Sequence, residues 1–496
     1  MERVALPILM LATAFCCATS QLTTNEIHQI DLMATKNSLN HKTQYYVAHR
    51  RSLILRRGST MDFAIHMARN FDAELDKLRL EIGLGAFLQY LPILQNKTFD
   101  DATLDARIVQ IQERRLELQL NLPANMAIGQ WSLRISSKLN GTRDLNTVNV
   151  VDSLMVIFNP WCPEDQVFLA SEPLRQEYVL NEVGKYYRGS YYRPQGRRWV
   201  YGQFDPSVLP SVFLMLNRMG LSVEDRVSAA KVARAVSAMA NSHDDRGILV
   251  GDWSGSYLMG RSPESWSGSA PIFREFLRTD GNPVRFGQCW VFGGVTTTAL
   301  RTLGIPSRMI SNFVSAHDTD STLTVDQFNR NGEKLEAITK DSIRNFHVWS
   351  EAWMTRNDLP TGFDGWQVID GTPQQLSMGK FQLGPASVEA VKRGKVRYGY
   401  DVGFVFAEVN APIVKWELDR RTQRFWRRTS VTTGHCGRRM LTKMVGYLDP
   451  SFTGTQDAVD IVSNYKYPIG SLEFKQAHNE AVTVSGLEPL AGLEGR

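Results

Sequence analysis

The first part of the chain alternates apolar and polar residues in short runs. Residues 116–122 read Leu-Glu-Leu-Gln-Leu-Asn-Leu, and residues 78–84 and 131–135 alternate in the same way. An alternation of period two predicts β-strands with one buried face. Several short strands separated by turns favour a β-sandwich, which we predict for residues 21–150.

Beyond residue 150 the pattern changes to a mixture of helices and strands. Ser222 is predicted to cap a helix that continues to about Ala240. A second helix is predicted to begin at Cys289 and to end at Leu303, because a glycine follows. Residues 346–349 and 366–370 predict short strands. The whole pattern predicts an α+β fold, with a second domain over residues 151–480 and a short tail at 481–496.

Composition narrows the class of protein. The chain has 496 residues, of which 22% are charged and 43% hydrophobic, and its net charge is +5. These values exclude a disordered chain and a multi-span membrane protein, and the mild charge gives no reason to expect nucleic-acid binding. Residues 1–20 combine an early arginine, an apolar run and small residues at the end, which predicts a secretory signal peptide. No later segment is long enough to predict a transmembrane helix.

Cysteines and sequons agree with a secreted protein. Cleavage of the signal peptide leaves Cys162, Cys289 and Cys436. An odd number of cysteines does not form a disulfide framework and leaves at least one free thiol. The glycines and arginines around Cys436 predict an exposed loop. Asn96 and Asn140 each begin a glycosylation sequon, so both are candidate glycosylation sites.

Cys289 is the strongest candidate nucleophile. At the start of a helix its thiol faces unpaired backbone N–H groups and the positive end of the dipole, both of which favour thiolate. His347 and Asp370 follow it in predicted strands. This order suits a nucleophile, its proton carrier and the group that orients the imidazole. From spacing alone, the same residues also fit a core thiol, a core histidine and a turn cap.

Residues 286–292, Phe-Gly-Gln-Cys-Trp-Val-Phe, resemble the active-site signature of animal transglutaminases. Ten further segments resemble the same family in the same order: 158–163, 176–180, 201–204, 303–308, 315–318, 345–349, 351–354, 365–370, 404–410 and 465–468. The resemblance is to secreted, invertebrate-type members and covers about residues 155–475. It implies an immunoglobulin-like β-sandwich followed by a papain-like α/β catalytic core.

The resemblance also implies an activity, namely acyl transfer from a protein glutamine through a cysteine thioester to lysine or another primary amine. The product is an isopeptide cross-link between extracellular proteins, as in coagulation. Cys289 is then the nucleophile, His347 carries protons and Asp370 orients its ring. Trp253 is implied as an oxyanion donor beside the Cys289 backbone N–H, and Trp290 lines the cleft. The expected partners are glutamine- and lysine-bearing proteins and primary amines.

Calcium is the cofactor that the resemblance implies, at up to three sites. The implied ligands are Asp318, Asp320, Thr322, Thr324 and Asp341 at one site, Asn241 and Asp245 at a second, and Asn410 and Glu473 at a third. At the third site Pro412, Ile469 and Phe474 stand where the family has acidic ligands. These side chains do not coordinate a hard cation, so we expect weak or no binding there.

Two other features depart from the family. Arg344 stands where a tryptophan often precedes the histidine by three residues, which is expected to alter the acyl-acceptor side of the cleft. The chain is also expected to lack the two C-terminal β-barrels of family members. Two alternative functions therefore stay open: a thiol hydrolase such as a deamidase, and a catalytically weak or inactive scaffold or binding protein. Incorporation of a labelled amine discriminates between them and the transferase.

Overall fold

A β-sandwich forms the first part of the protein in the computed structural model, which describes residues 23–46, 52–419 and 425–487. Its elements are β1 (Ile27–Asp31), α1 (Ala34–Asn40), β2 (Ser52–Arg56), β3 (Ser59–Met67), β4 (Asp76–Leu84), β5 (Phe87–Gln95), β6 (Asp105–Gln112), β7 (Arg115–Leu122), β8 (Gly129–Leu139) and β9 (Asn146–Ile157). The strand order is β1-β3-β7-β6-β5-β4-β8-β9-β2. The predicted signal peptide, residues 1–20, lies outside the described residues.

The alternating runs form strands as predicted. In β7 the side chains of Leu116, Leu118 and Leu120 are buried, while the polar residues between them are partly exposed. Together with apolar side chains from β3, β4 and β8 they form one hydrophobic core between the two halves of the sandwich. The last strand, β9, continues to Ile157, seven residues beyond the predicted domain boundary near residue 150.

The second part of the protein mixes helices and sheets. Its strands are β10 (Val183–Ser190), β11 (Arg193–Val200), β12 (Leu249–Gly251), β13 (Val284–Gly287), β14 (Ser307–His317), β15 (Val325–Arg330), β16 (Glu333–Lys334), β17 (Ser342–Met354), β18 (Gly365–Asp370), β19 (Leu376–Ser377), β20 (Lys380–Phe381), β21 (Leu383–Ser387), β22 (Ile413–Leu418), β23 (Trp426–Thr432), β24 (Arg439–Lys443) and β25 (Ala458–Asp460). Its helices are α2 (Glu172–Arg175), α3 (Val208–Arg218), α4 (Ala229–Ala240), α5 (Ala270–Arg278), α6 (Cys289–Thr302), α7 (Val388–Lys392), α8 (Val402–Asn410), α9 (Val462–Tyr465) and α10 (Leu472–Ser485).

Helix α6 lies against an antiparallel sheet with the order β21-β18-β17-β14-β24-β25. All fourteen of its residues are buried, which is the pattern of a helix in the centre of a domain. Gly294 allows this close packing, because a Cβ atom there would lie 2.2 Å from the ring of Trp199. The helix begins at Cys289 as predicted, and it ends at Thr302, one residue before the predicted end.

Other predictions need correction. Helix α4 begins at Ala229 instead of Ser222, because the Ser228 hydroxyl accepts the backbone N–H of Lys231 and caps it. Helix α10 extends through residues 481–485, which we expected in a tail. Cys436 is buried, with 1% of its surface exposed, instead of lying in an exposed loop. None of the described helices is long and apolar enough to cross a membrane.

Candidate active site

Cys289 is the first residue of α6 and has 8% of its surface exposed. Gln288 precedes it but does not cap the helix, since its side chain donates to the Asp252 carbonyl at 2.9 Å and to the Tyr257 hydroxyl at 3.1 Å. The first backbone N–H groups of α6 therefore have no side-chain cap. Such groups favour an anion at the helix N-terminus.

Burial determines the protonation of the thiol. Burial raises the pKa of Cys289 to about 12. The charge of Arg344 and the backbone N–H groups of Val348 and Trp290 act to lower this pKa, but burial has the larger effect. The N–H of Trp290 at the helix N-terminus acts in the direction we expected, but burial outweighs it in the resting site. The thiol is protonated at neutral pH, so it needs a base beside it to become a nucleophile.

His347 and Asp370 are in place to supply that base. His347 lies in β17 and Asp370 ends the neighbouring strand β18, and Nε2 of the histidine lies 2.7 Å from Oδ2 of the aspartate. Both side chains are buried. Val348, the next residue after His347, is the one whose backbone N–H acts on the Cys289 thiol. The fold thus brings the three predicted catalytic residues together.

The charges of the pair fix the tautomer of His347. Burial lowers the pKa of His347 despite the opposing charge of Asp370, so the imidazole is neutral. Burial acts to raise the pKa of Asp370, but His347 and the N–H of Thr372 hold it below its usual value. An ionised aspartate only accepts, so Nε2 carries the hydrogen. Nδ1 is buried and has no hydrogen-bond partner among the described residues, which leaves its lone pair free for a proton.

Three further side chains surround this pair, and sequence analysis gave them no such role. Nε2 of Gln374 donates to Asp370 Oδ2 at 2.7 Å and lies 3.4 Å from Oε1 of Glu408. Arg344 donates to the Gln374 carbonyl oxygen. Burial raises the pKa of Glu408 well above its usual value, which favours the neutral form of this carboxyl. Glu408 lies in the family-like segment 404–410, which was the one signal that could have drawn attention to it.

Two tryptophans flank the nucleophile. The ring of Trp253 stacks on Phe292, one helical turn after Cys289, with ring centres 6.3 Å apart, and 54% of the residue is exposed. A Cβ atom at Gly251 would lie 2.7 Å from that ring, so the glycine leaves room for the indole of Trp253. Trp290 is buried and stacks on Tyr186, and its indole N–H has no partner among the described residues. Both indoles therefore lie beside the helix that carries the thiol.

One implied calcium site has a suitable set of ligands. Carboxylate oxygens of Asp318, Asp320 and Asp341 all lie within 4.8 Å of one another. Burial raises the pKa of Asp318 to about 6, and no lysine or arginine in the described ranges pairs with these carboxylates. The hydroxyl of Thr322 donates to Asp320 at 2.8 Å and lies 2.9 Å from that of Thr324. Backbone N–H groups donate to the carboxylates of Asp318 and Asp341, but no paired cation from the described part of the chain offsets their charge. This concentration of oxygen ligands fits a hard divalent cation.

The second implied site is less complete. Oδ2 of Asp245 is buried without a hydrogen-bond partner among the described residues, and burial raises the pKa of this carboxyl to about 6. Asn241 is fully buried, but its amide already donates to the Phe381 carbonyl and accepts from the N–H of His243. The free carboxylate oxygen fits a cation, with Asn241 able to contribute only its remaining lone pair.

The third implied site does not fit calcium. Asn410 faces a small pocket that is also lined by Phe474, Lys466 and His478. Glu473 is exposed in the first turn of α10 and does not line this pocket. Oδ1 of Asn410 is buried without a hydrogen-bond partner among the described residues, but no carboxylate lines its pocket. A phenylalanine and a lysine beside the asparagine do not fit a cation site of the usual composition.

The remaining candidate residues lie apart from the active site. Asn96 and Asn140 are exposed at the ends of β5 and β8. Cys162 and Cys436 are buried free thiols. Burial raises the pKa of Cys162 to about 11 and that of Cys436 to about 12, so both thiols are protonated at neutral pH, as the Cys289 thiol is.

Comparisons with known proteins agree with this architecture. Residues 28–138 match the transglutaminase family, and residues 254–371 match the transglutaminase-like superfamily. The hemocyte protein-glutamine gamma-glutamyltransferase of Tachypleus tridentatus is 43% identical over 93% of this chain and 62% of its own length. The human coagulation factor XIII A chain is 35% identical over 95% of this chain and 63% of its own.

A solved structure supports the same assignment. The crystal structure of red sea bream transglutaminase is 34% identical, with a TM-score of 0.81 over 94% of this chain and 68% of that one. The chain thus spans somewhat less than two thirds of the two curated relatives. Its β-sandwich and its mixed α/β core both correspond to one family. This chain belongs to the transglutaminase family.

Proposed function

We propose that this protein is a protein-glutamine γ-glutamyltransferase, which cross-links extracellular proteins by acyl transfer. The observation that carries the proposal is the buried thiol of Cys289 beside the hydrogen-bonded pair of His347 and Asp370. The thiol is protonated at rest, and the free Nδ1 of the histidine is the base it requires. Buried Asp370 stabilises the imidazolium that forms.

The reaction has two halves. In the first, His347 takes the thiol proton, and the sulfur of Cys289 attacks the carboxamide carbon of a protein glutamine. The carbon–nitrogen bond breaks, His347 returns the proton to the leaving nitrogen, and ammonia departs from a thioester. In the second half, an uncharged lysine amine attacks the thioester carbonyl. His347 transfers the amine proton to the departing sulfur, which leaves an isopeptide bond; attack by water instead gives glutamate.

The negative oxygen that forms in each half needs hydrogen-bond donors. The backbone N–H of Cys289 is available because no side chain caps α6. The indole N–H of Trp253 is the second proposed donor, since its ring is held against the same helix. Preorganised donors of this kind stabilise the transition state more than the ground state.

We propose calcium as the cofactor. Asp318, Asp320 and Asp341 would hold it, with Thr322 and Thr324 near them, and Asp245 with Asn241 would form a weaker site. When bound, calcium supplies positive charge that offsets the repulsion among these carboxylates. The pocket of Asn410 is not part of this proposal, because its lining does not fit a cation.

We also propose that the protein is secreted and acts on glutamine- and lysine-bearing extracellular proteins. The exposed sequon asparagines Asn96 and Asn140 and the amino-terminal apolar run support secretion. Two relatives are named as a hemocyte enzyme and a coagulation factor, and these names favour cross-linking outside the cell.

Amine incorporation tests the proposed function. The purified chain is supplied with a glutamine-bearing protein and a tagged primary amine, in calcium and in chelator. Cys289→Ala is the blank, and Cys162→Ala, which removes another buried thiol, is the matched control. Tagging that needs Cys289 and calcium supports the proposal. Glutamate formation without tagging indicates a thiol hydrolase, and the absence of both indicates a scaffold.

A further inference from the structure

Arg344 and Gln374 form a hydrogen-bonded pair beside His347 and Asp370. We propose that Arg344 is a positioning residue, which holds the Gln374 amide in the one orientation that completes the hydrogen bonds of Asp370 and thereby orients His347. The inference deepens the proposed transferase function and rests on it.

The chemistry of the guanidinium fixes the amide orientation. Arginine only donates hydrogen bonds, so the atom of Gln374 that faces Arg344 has to be the carbonyl oxygen. The amide nitrogen then lies 2.7 Å from Oδ2 of Asp370 and 3.0 Å from Nε2 of His347. Because Nε2 carries a hydrogen, the amide donates to the carboxylate. In the opposite orientation two acceptor oxygens would face each other at that distance, and the guanidinium would face an NH2 group. Arg344 excludes that orientation.

The orientation matters because it completes the set of donors around Asp370. Oδ2 receives Nε2–H of His347 and the amide of Gln374, and Oδ1 receives the backbone N–H of Thr372 at 2.8 Å. Three donors stabilise the carboxylate form. An ionised aspartate keeps the Nε2–H tautomer of His347 and leaves Nδ1 for the thiol proton. The Gln374 amide, like an imidazole ring, has two orientations of nearly equal shape, so a neighbouring group has to select one of them.

Arg344 is itself held at a second point. Its other terminal nitrogen lies 3.4 Å from Nδ1 of His317, which accepts because a guanidinium only donates. The guanidinium therefore bridges the end of β14 and the turn after β18. Among the described residues, the titratable and charged groups that face the thiol or this network include Tyr186 of β10, His317 of β14, Asp341 before β17, Arg344 and His347 of β17, Asp370 of β18 and Glu408 of α8.

Alkylation of Cys289 by iodoacetamide tests the inference without any acyl transfer. The rate is measured on the full chain from pH 6 to pH 9 by mass spectrometry of the Cys289 peptide. Arg344→Met is expected to lower the rate about tenfold at each pH, which corresponds to one pKa unit in the thiolate fraction. Arg344→Lys keeps a donor for the amide oxygen and is expected to retain most of the rate. Arg330→Met, at an exposed position on β15, is the matched control.

A double variant shows whether Arg344 acts through Gln374. In a Gln374→Met background no amide remains to be oriented, so Arg344→Met is expected to change the rate less than about twofold. Equal losses in both backgrounds would show that Arg344 acts on the thiol by charge alone and would overturn the inference. A wild-type rate for Arg344→Met would also overturn it.

Two checks keep these outcomes clear. Thermal unfolding shows whether each variant is folded. If Arg344→Met does not fold, Gln374→Met replaces it in the test, because Gln374→Met is expected to show the same tenfold loss of alkylation rate. An unchanged rate for folded Gln374→Met overturns the inference. If the wild-type chain is alkylated normally but incorporates no amine, the transferase proposal fails while the positioning inference is still judged by the alkylation rates.

Discussion

Nε2 of His347 lies 2.7 Å from Oδ2 of Asp370, and adjacent antiparallel strands set this distance. Asp370→Asn keeps the size of the side chain but lets an amide NH2 face Nε2, which favours the other tautomer of the ring. We expect kcat for amine incorporation to fall about 10³–10⁴-fold, with a small change in KM for the glutamine substrate. Steady-state kinetics measure both quantities. A loss of less than tenfold would remove Asp370 from the catalytic residues.

Trp253 offers a second test of the site. Trp253→Phe keeps an aromatic ring against Phe292 but removes the indole N–H. We expect kcat to fall about 10²–10³-fold, because one donor to the oxyanion is lost. Alkylation of Cys289 should be unchanged, since that reaction forms no oxyanion. Trp161→Phe, at a partly exposed tryptophan whose indole donates to Glu172, is the control. Equal activities of the two variants would contradict the proposed donor.

Calcium binding should depend on pH through Asp318. Burial raises the pKa of this carboxyl from about 4 in the unfolded chain to about 6 in the folded protein. The protonated carboxyl therefore stabilises the metal-free protein below about pH 4, and this stabilisation is lost as the pH rises to about 6. Calcium binds the ionised form. We therefore expect calcium to raise the unfolding temperature more at pH 7.5 than at pH 5. At a hundredfold excess over Kd the stabilisation at pH 7.5 is about 2.7 kcal/mol.

Differential scanning fluorimetry measures this effect, and two variants assign it. Asp318→Asn should remove most of the calcium-induced shift in unfolding temperature. Glu473→Gln should leave it unchanged, because Glu473 is exposed and lies outside both fitting sites. A shift that survives Asp318→Asn but disappears with Glu473→Gln would reverse our assignment of the sites.

Gly294→Ala should destabilise the fold. A Cβ atom would lie 2.2 Å from the ring of Trp199 in a fully buried region, and overpacking of this kind costs about 1–3 kcal/mol. Gly403→Ala in α8 is the matched control, since a Cβ atom there would make only ordinary contacts, the nearest at 3.6 Å. The better helix propensity of alanine is expected to make that variant as stable as the wild type or slightly more so. Urea unfolding compares the two.

Secretion predicts a change in mass. Asn96 and Asn140 are exposed at strand ends, where an oligosaccharide transferase can reach them. When the chain is expressed in a eukaryotic secretory system, we expect glycosidase treatment to lower its apparent mass. The Asn96→Gln and Asn140→Gln variants should each remove part of that difference. A chain recovered only from the cytosol, with no such difference, would contradict the proposed location.

Local sequence signals predicted much of the fold and the elements that carry the three candidate catalytic residues, whose roles the family resemblance implied. The alternation in residues 116–122 corresponds to β7, and the glycine after Leu303 marks the end of α6. Cys289, His347 and Asp370 each lie at the element that the local pattern indicated. Such signals are reliable because they depend on neighbours within a few residues of the chain.

The rest depends on contacts that no local pattern reports. Arg344, Gln374 and Glu408 come from a strand, a turn and a helix, and they meet only when β17, β18 and α8 assemble. Burial of Cys436 also depends on tertiary contacts. The thiol packs in a hydrophobic core, while the guanidinium of Arg438 lies over the ring of Tyr191. The early start predicted for α4 arose because Ser222 does accept the backbone N–H of Asp225, but the turn that follows it is a short 3-10 helix, Asp225–Val227. The α-helix begins after Ser228.

Helix α6 has every residue buried, whereas the segment after β12 that carries Trp253 also holds Leu258 and Met259, with 92% and 76% of their surfaces exposed. Amide hydrogens of a central buried helix exchange with solvent only through large-scale opening, and those of an exposed loop exchange through local fluctuations. The middle of α6 is therefore expected to exchange slowly and the loop that carries Trp253 fast, while the first amides of α6, at Cys289, have no partners within the helix. The two sides of the cleft can respond to a bound protein on different timescales, with the thiol stationary while the indole side adjusts.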